Sequence, residues 1–452
     1  MRIVIVGAGE VGFHIAQRLA TEAKDVVVID RDELVLSRIA ELLDVQTVQG
    51  SGSSPRILEQ AGIKQAQILL AVTDSDEINL IACTFADILS PGLTKLARIR
   101  NPDYLSYQEI LARDMHIDRV INPEDEVIRS IEGLMLAPGA LEISDFSEGR
   151  LKLVGVQIEE HSDLAGTPLV RFRETMGFSQ IIVAAIVRDE ELIIPAGLDT
   201  IQPGDIIYFV CEKKDVLDIL KRFGHARLEQ RNVLVIGGGN IGLKFAKSLE
   251  RMGIHAKLIE KDRDRCEFLA EQLHTTVVLH GDGTDQELLL EENIQDMDVV
   301  VALTSDEEKN ILCTLLARKL GAKMVINRIN KFAYLPLVRA IGIQHTVSPR
   351  MSAVNSILQH IRRGNIITAI AIKDQAEALE ALAVEGSAVV GRPIKELGLP
   401  KGSLVLSIIR GQEVIIPTGD SVIQPGDRFV LFSTRKNIPK LESALMMKLE
   451  NI

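Results

Sequence analysis

Ile3-Val4-Ile5-Val6-Gly7-Ala8-Gly9-Glu10-Val11-Gly12 opens this chain, and Val233-Leu234-Val235-Ile236-Gly237-Gly238-Gly239-Asn240-Ile241-Gly242 repeats it 230 positions later. Each stretch is an apolar run that ends in Gly-x-Gly-x-x-Gly. An acid follows at the same spacing, Asp30 in the first copy and Glu260 in the second. One such loop is weak evidence, because glycines gather in turns by chance. Two copies in register with their acids are not a chance pair. The first glycine permits the tight turn out of a strand, the second lets the backbone approach a pyrophosphate, and the third lets the helix pack closely on the sheet. The helix beginning near Glu10 then points free N–H groups and its positive dipole end at the phosphates. Asp30 and Glu260, at the tips of the next strands, are placed to accept ribose hydroxyls and to repel a 2′-phosphate, which favours NAD over NADP.

The repeat continues outward from the loops. In the first half Val26–Asp30, Asp44–Val48 and Ile68–Thr73 read as strands, and Val11–Thr21, Glu33–Leu43 and Asn79–Leu89 as helices. In the second half the strands are Ala256–Glu260, Thr276–Leu279 and Val299–Thr304, and the helices Ile241–Met252, Arg265–Leu273 and Asn310–Leu320. Short apolar strands alternating with amphipathic helices predict a parallel sheet covered on both faces. Right-handed crossovers place the loops after the strands along one edge. Smaller signals repeat too: Gly50-Ser51-Gly52 with Gly281-Asp282-Gly283, Asn79 with Asn310, and Ala97-Arg98-Ile99 with Asn327-Arg328-Ile329.

After each such unit the character changes. Pro123–Leu136 carries a helical stripe of Val127, Ile128, Ile131, Leu134 and Met135, and Pro349–Ile361, ended near Gly364, is its counterpart. That stripe is a candidate for a helix that crosses to a partner domain. Strand-rich segments follow, Leu151–Ile158, Ile181–Val187, Glu191–Pro195 and Asp205–Cys211, answered by Ile366–Ile372, Val405–Ile409, Glu413–Pro417 and Asp427–Phe432. Gln202-Pro203-Gly204-Asp205 and Gln424-Pro425-Gly426-Asp427 are matching turn signals. The expected fold is α/β: two Rossmann-like, doubly wound parallel sheets, each followed by a small α+β subdomain. The expected segments are 1–139, 140–228, 229–363 and 364–452.

Composition narrows the function. The 452 residues are 46% apolar and 25% charged, as in ordinary globular domains. The net charge of −12 argues against broad nucleic-acid binding, which needs a basic face. No apolar run approaches the ~20 residues of a membrane-spanning helix, and the amino terminus passes straight into a strand without a secretory signal. The four cysteines form no metal-ligand spacing and read as reduced, buried thiols.

The strand ends supply further candidates. Thr73 and Asp74 follow the fourth strand and sit across the crevice, in reach of ribose or phosphates, or cap the helix beginning near Ser75. Thr304 is the counterpart of Thr73. Arg98 ends the fifth strand on the same edge, where it meets a phosphate or an adenine face, or is a solvated surface arginine. Asp282 is placed to contact the adenosine half in the second site, where Ser51 stands in the first, so the two sites need not bind alike. A dehydrogenase would also need a proton donor or acceptor beside the nicotinamide. None of the nine histidines has a recognisable catalytic setting, and a cap or surface role suits the loosely paired His116 and His345 best. An NAD-dependent oxidoreductase with an unrecognised active site is the alternative reading. A third is a nucleotide sensor attached to some other transporter or antiporter.

The loop Gly7–Gly12 with Asp30, then Thr73-Asp74-Ser75-Asp76-Glu77-Ile78-Asn79-Leu80 and Ala97-Arg98-Ile99, resembles the RCK, or KTN, domains that regulate potassium conductance. The strand-rich units, with Gly-x-Pro-Leu or Gly-x-Pro-Ile and Gln-Pro-Gly-Asp, resemble the RCK C-terminal subdomain. The resemblance covers essentially the whole chain. It implies binding of NAD or NADH, and of ATP or ADP in relatives, at Gly7, Ala8, Gly9, Glu10, Val11 and Asp30 and at Gly237, Gly238, Gly239, Asn240, Ile241 and Glu260. It further implies a homo-oligomeric, tetrameric ring, peripheral to the cytoplasmic face of the inner membrane through a Trk-type, potassium-translocating integral membrane subunit. Ser51, where the family often has an acid, and the Gly237-Gly238-Gly239 triplet depart from the family pattern and bear on ligand identity.

Overall fold

β1 (Arg2–Val6) is, after Arg2, a run of β-branched residues buried on both faces, as the central strand of a parallel sheet has to be. A computed structural model describes residues 1–224, 232–331, 334–361, 366–372 and 375–445. The boundaries read near residues 228 and 363, and Gly364, lie outside the described residues.

From β1 the chain runs through α1 (Glu10–Thr21), β2 (Asp25–Asp30), α2 (Glu33–Leu42), β3 (Gln46–Gln49), α3 (Pro55–Gln60), β4 (Ile68–Ala71), α4 (Asp76–Leu89) and β5 (Thr94–Arg98). α5 (Pro102–Leu105), α6 (Gln108–Asp114), β6 (Arg119–Ile121) and α7 (Pro123–Leu136) follow. The strands form a six-stranded parallel sheet in the order β3-β2-β1-β4-β5-β6. The reversal of strand order between β1 and β4 is a switch point, and the crevice at their carboxyl ends is where open α/β sheets bind ligands.

Five antiparallel strands come next: β7 (Ala140–Phe146), β8 (Leu151–Gln157), then after α8 (Phe172–Met176) β9 (Ile181–Arg188), β10 (Glu191–Ile193) and β11 (Ile206–Glu212), closed by α9 (Val216–Arg222). The second half repeats the plan. β12 (Asn232–Ile236), α10 (Asn240–Arg251), β13 (His255–Glu260), α11 (Arg263–Gln272), β14 (Val277–His280), α12 (Gln286–Glu291), β15 (Val299–Ala302), α13 (Glu307–Lys319), β16 (Met324–Arg328), α14 (Leu335–Ala340) and β17 (His345–Val347) give the order β14-β13-β12-β15-β16-β17. α15 (Pro349–Ile361) leads into β18 (Ile366–Ile372), β19 (Ala376–Leu382), β20 (Ser403–Arg410), β21 (Glu413–Ile415) and β22 (Arg428–Thr434), and α16 (Ile438–Leu445) closes the described chain. The expected pair of parallel sheets, each followed by a small antiparallel one, is therefore present.

The chain forms two compact units, Met1–Val127 with Ser348–Ile361, and Ile128–Val347 with Arg362–Ile452. In the first, Ala353, Val354, Ile357 and Leu358 of α15 enter the core beside Ile15 and Leu19 of α1. A helix from the second half thus covers the first sheet. In the second unit, Glu132 of α7 accepts a hydrogen bond from the Ser248 hydroxyl on α10. α15 thus crosses onto the other half of the same chain, and α7 reaches α10 of the other half through Glu132. Also in this unit the two five-stranded sheets share one core, in which Phe146, Leu153 and Tyr208 meet Ala378, Leu406 and Phe432. Ser147 adds two bonds to the carboxylate of Glu380, from its N–H at 2.9 Å and its hydroxyl at 2.8 Å.

The repeated Gln-Pro-Gly-Asp turns have a clear cause. Asp205 accepts from the Gln202 N–H at 2.7 Å and is clamped by Nε and Nη2 of Arg188, each at 2.8 Å. Asp427 does the same with Gln424 at 2.8 Å and Arg410 at 2.8 and 2.9 Å. Gly204 and Gly426 take φ of +86° and +85°, which L side chains avoid.

Candidate functional site

The two glycine loops leave β1 and β12 in nearly identical geometry. Gly7 has φ +107° and Gly237 +105°, and a Cβ on either would lie within 3 Å of a backbone nitrogen, Thr73 N at 2.9 Å or Thr304 N at 2.8 Å. A Cβ on Gly12 or Gly242 would meet the carbonyl of Gly7 or Gly237 at 1.9 or 2.0 Å, so only glycine lets the helix approach the turn so closely. Gly9 and Gly239 differ: a Cβ there meets no atom within 4 Å. The middle glycine faces open space, where a ligand backbone would lie.

Helix capping bears on the same place. Asp32, Ser75, Asp262 and Asp306 cap α2, α4, α11 and α13 through their side chains. At the starts of α1 and α10 the caps are Gly9 and Gly239, with no side chain to accept the leading N–H groups. These two helix ends are left free for an anion.

Asp30 and Glu260 close the loops from the side. Asp30 accepts from the Ala8 N–H at 2.6 Å and Glu260 from the Gly238 N–H at 2.7 Å. Their second oxygens accept from Asp32 N at 3.0 Å, and from Lys261 N and Asp262 N at 2.8 and 3.0 Å. Both carboxylates are therefore fixed in orientation, with lone pairs left over for hydroxyl donors.

Across the crevice the structure replaces one expectation. Neither Thr73 nor Asp74 caps the next helix; Ser75 does, accepting from Ile78 N at 3.2 Å. The Thr73 hydroxyl lies 2.7 Å from Oδ1 of Asn79, which also accepts the Thr73 N–H at 2.9 Å. The Asn79 amide then donates to the carbonyls of Thr73 and Arg98 at 3.2 and 2.8 Å. Thr304, Asn310 and Arg328 repeat this at 2.7, 2.9, 3.0 and 3.2 Å. The fully buried asparagine pins the ends of two neighbouring strands, β4 and β5 in the first half and β15 and β16 in the second. Its signal in the sequence is its repetition, which says nothing of its task.

Arg98 is not a solvated surface arginine. Its side chain is 15% exposed, it pairs with Asp74 at 3.1 Å, and its Nε is buried with no hydrogen-bond partner among the described residues. Burial pushes its guanidinium down from the ordinary value. Ser51 and Asp282 mark the clearest difference between the halves. Ser51 bonds Ser53 at 2.8 Å and accepts from Arg31 at 2.9 Å. Asp282 is held by Lys309 at 2.7 Å and by Thr284, and the Lys309 ammonium together with the Thr284 N–H lowers its carboxyl to about 2. Lys309, where the first half has Ile78, is a residue that the sequence reading missed.

Of the loosely paired histidines, His116 meets Asp87 at 2.8 Å and His345 the Ala140 carbonyl at 3.1 Å. The four cysteines are free and buried, and burial pushes the Cys83 and Cys313 thiols up to about 12. No described helix is long and apolar enough to cross a membrane.

The TrkA-N domain matches residues 3–123 and again 233–349, and the TrkA-C domain matches 153–224 and 378–446. The chain belongs to the TrkA family. A Trk system potassium uptake protein TrkA of Halomonas elongata is 40% identical over 437 residues, 96% of this chain and 95% of that one. One of Azorhizobium caulinodans is 39% identical over 456 residues, covering 100% of both chains. TrkA homolog 1 of Methanosarcina mazei is 38% identical over 450 residues, 98% of this chain and 99% of its own. The TrkA family is one of potassium-uptake proteins and not of enzymes. Solved structures agree on the fold. The RCK domain of GsuK has a TM-score of 0.60 at 19% identity, over 98% of this chain and 94% of that one. The GsuK channel bound to NAD has a TM-score of 0.60 at 18% identity, over 98% and 78%. Both TrkA-N matches contain one of the glycine loops described above.

Proposed function

We propose that the chain is a nucleotide-sensing regulatory subunit that binds NAD or NADH and gates a potassium-translocating membrane subunit from the cytoplasmic side. The observation that carries this reading is the pair of uncapped helix ends, each beside a glycine with open space over it, in a chain of a potassium-uptake family. In this reading Gly7–Val11 and Gly237–Ile241 cradle a pyrophosphate, Asp30 and Glu260 take ribose hydroxyls, and Thr73, Asp74, Arg98, Asp282 and Thr304 line the opposite wall. ATP or ADP are the other ligands that the loops suit, since they carry the same ribose and phosphates. The segments 1–139 and 229–363 are the sensing domains, and 140–228 and 364–452 the C-terminal subdomains. Copies of the chain form a ring, peripheral to the inner membrane through the partner.

Sensing here is biased equilibrium, not chemistry. A ligand shifts the ring only if it binds one conformation better, and a 100-fold preference amounts to ~2.7 kcal/mol. The experiment is potassium uptake in cells that lack the chain, restored with the wild type or with Asp30→Ala/Glu260→Ala. Uptake should fall without the chain and return with the wild type, and the double variant should not respond to nucleotide. Normal uptake without the chain would defeat the proposal.

A further inference from the structure

We propose that Arg350, carried on α15 from the second half of the chain, completes the first site by binding the phosphates of a nucleotide seated on the Gly7–Gly12 loop. The proposal rests on the reading of that loop as a nucleotide site. α15 follows β17 in the chain, yet it packs into the first core against α1. Its first turn is thereby brought to the first turn of α1. Nη1 of Arg350 lies 3.5 Å from Oε2 of Glu10, the residue immediately after Gly9. The same oxygen lies 3.7 Å from Nε2 of His14.

Local stability does not explain an arginine there. A cation in the first turn of a helix faces the positive end of the dipole. The counterpart helix, α7, begins in the favoured way with Glu124, Asp125 and Glu126, whereas α15 has no acid in its first turn. The Arg350–Glu10 pair is also half-exposed, with side chains 37% and 54% accessible, and ion pairs so exposed stabilise little. A residue that breaks a local rule without local gain points to a functional position.

The gain lies in the ligand. The start of α1 attracts an anion, but the Glu10 carboxylate in the same turn opposes it. A guanidinium beside Glu10 offsets that charge and offers a planar fork of N–H donors to phosphate oxygens.

Titration calorimetry on the full chain with ADP and with adenosine tests this. Asp30→Ala identifies the binding phase that belongs to the first loop. In that phase Arg350→Gln should weaken ADP about 10- to 100-fold and leave adenosine unchanged, and Arg350→Lys should recover part of the loss. Glu10→Gln should tighten ADP. Wild-type ADP affinity in Arg350→Gln, alongside a phase that Asp30→Ala does remove, overturns the role of Arg350 and leaves the loop reading intact. Equal weakening of ADP and adenosine overturns it too, because the arginine then acts through folding. If Asp30→Ala removes no phase, the loop reading itself has failed, and this proposal with it.

Discussion

Replacing Gly238 by alanine asks why the second glycine loop departs from the first. A Cβ on Gly238 would lie 2.3 Å from Cδ1 of Leu269, 3.1 Å from Cδ2 of Leu258 and 3.2 Å from Oε2 of Glu260. The register of the repeat sets Ala8 against Gly238, Val28 against Leu258 and Ile39 against Leu269. The first half places a methyl on the loop and takes one carbon off the strand; the second half does the reverse. All of these core side chains are at most 2% exposed. The extra glycine therefore keeps the packed volume constant. One added methyl in a filled core costs about 1–3 kcal/mol, so Gly238→Ala should lose about 2 kcal/mol. Its φ lies outside the left-handed region, so the loss comes from the neighbours and not from the backbone. Gly238→Ala with Leu258→Val and Leu269→Ile restores the trio of the first half, and should recover all but about 0.5–1 kcal/mol. Urea unfolding followed by circular dichroism, in nucleotide-free buffer, reads both variants, and the triple variant should bind NADH like the wild type. A single variant with the wild-type midpoint, or a triple variant no better than the single, would refute the packing account.

Two further outcomes follow from acids held by several hydrogen bonds. Asp205→Ala removes a carboxylate 1% exposed that holds Arg188 twice and Gln202 once, and should cost about 3 kcal/mol in urea unfolding; Asp427→Ala should behave alike. At Glu250, burial raises the carboxyl, but the N–H groups of Thr275, Thr276 and His274 overcome it and hold the group at about 2, below its ordinary 4.5. A depressed folded value gives stability that is present above 4.5 and lost as the pH falls towards 2. Glu250→Gln should therefore be less stable than the wild type at neutral pH, with a gap that closes across that window in pH-dependent melts.

The parallel sheets were legible because β-branched runs, glycine loops and acids recur at one spacing, and each recurrence has a backbone cause. Ala376–Leu382 was not. Its Ala-Glu-Ala-Leu-Glu-Ala-Leu composition favours helix, yet it is the second strand of its sheet, with Glu377 and Glu380 each 1% exposed. Tertiary context overrides propensity there, since Glu380 finds Ser147 in the turn after β7. Ala140–Phe146 was missed for a related reason: its one polar-rich strand pairs only with β8 at a sheet edge. At the site, the glycines and acids announce themselves by type and spacing. Lys309 and Arg350 do not, because they arrive from a helix start 27 residues past Asp282 and from the other half of the chain.

Both loops are proposed to hold nucleotide. Calorimetric titration of NADH into the purified full chain, beside Asp30→Ala and Glu260→Ala, tests it most directly. Saturable binding is expected in the wild type, with each variant losing a different part of it. Unchanged isotherms in both variants, or no saturable binding of NADH, ADP or ATP to the wild type, would contradict it.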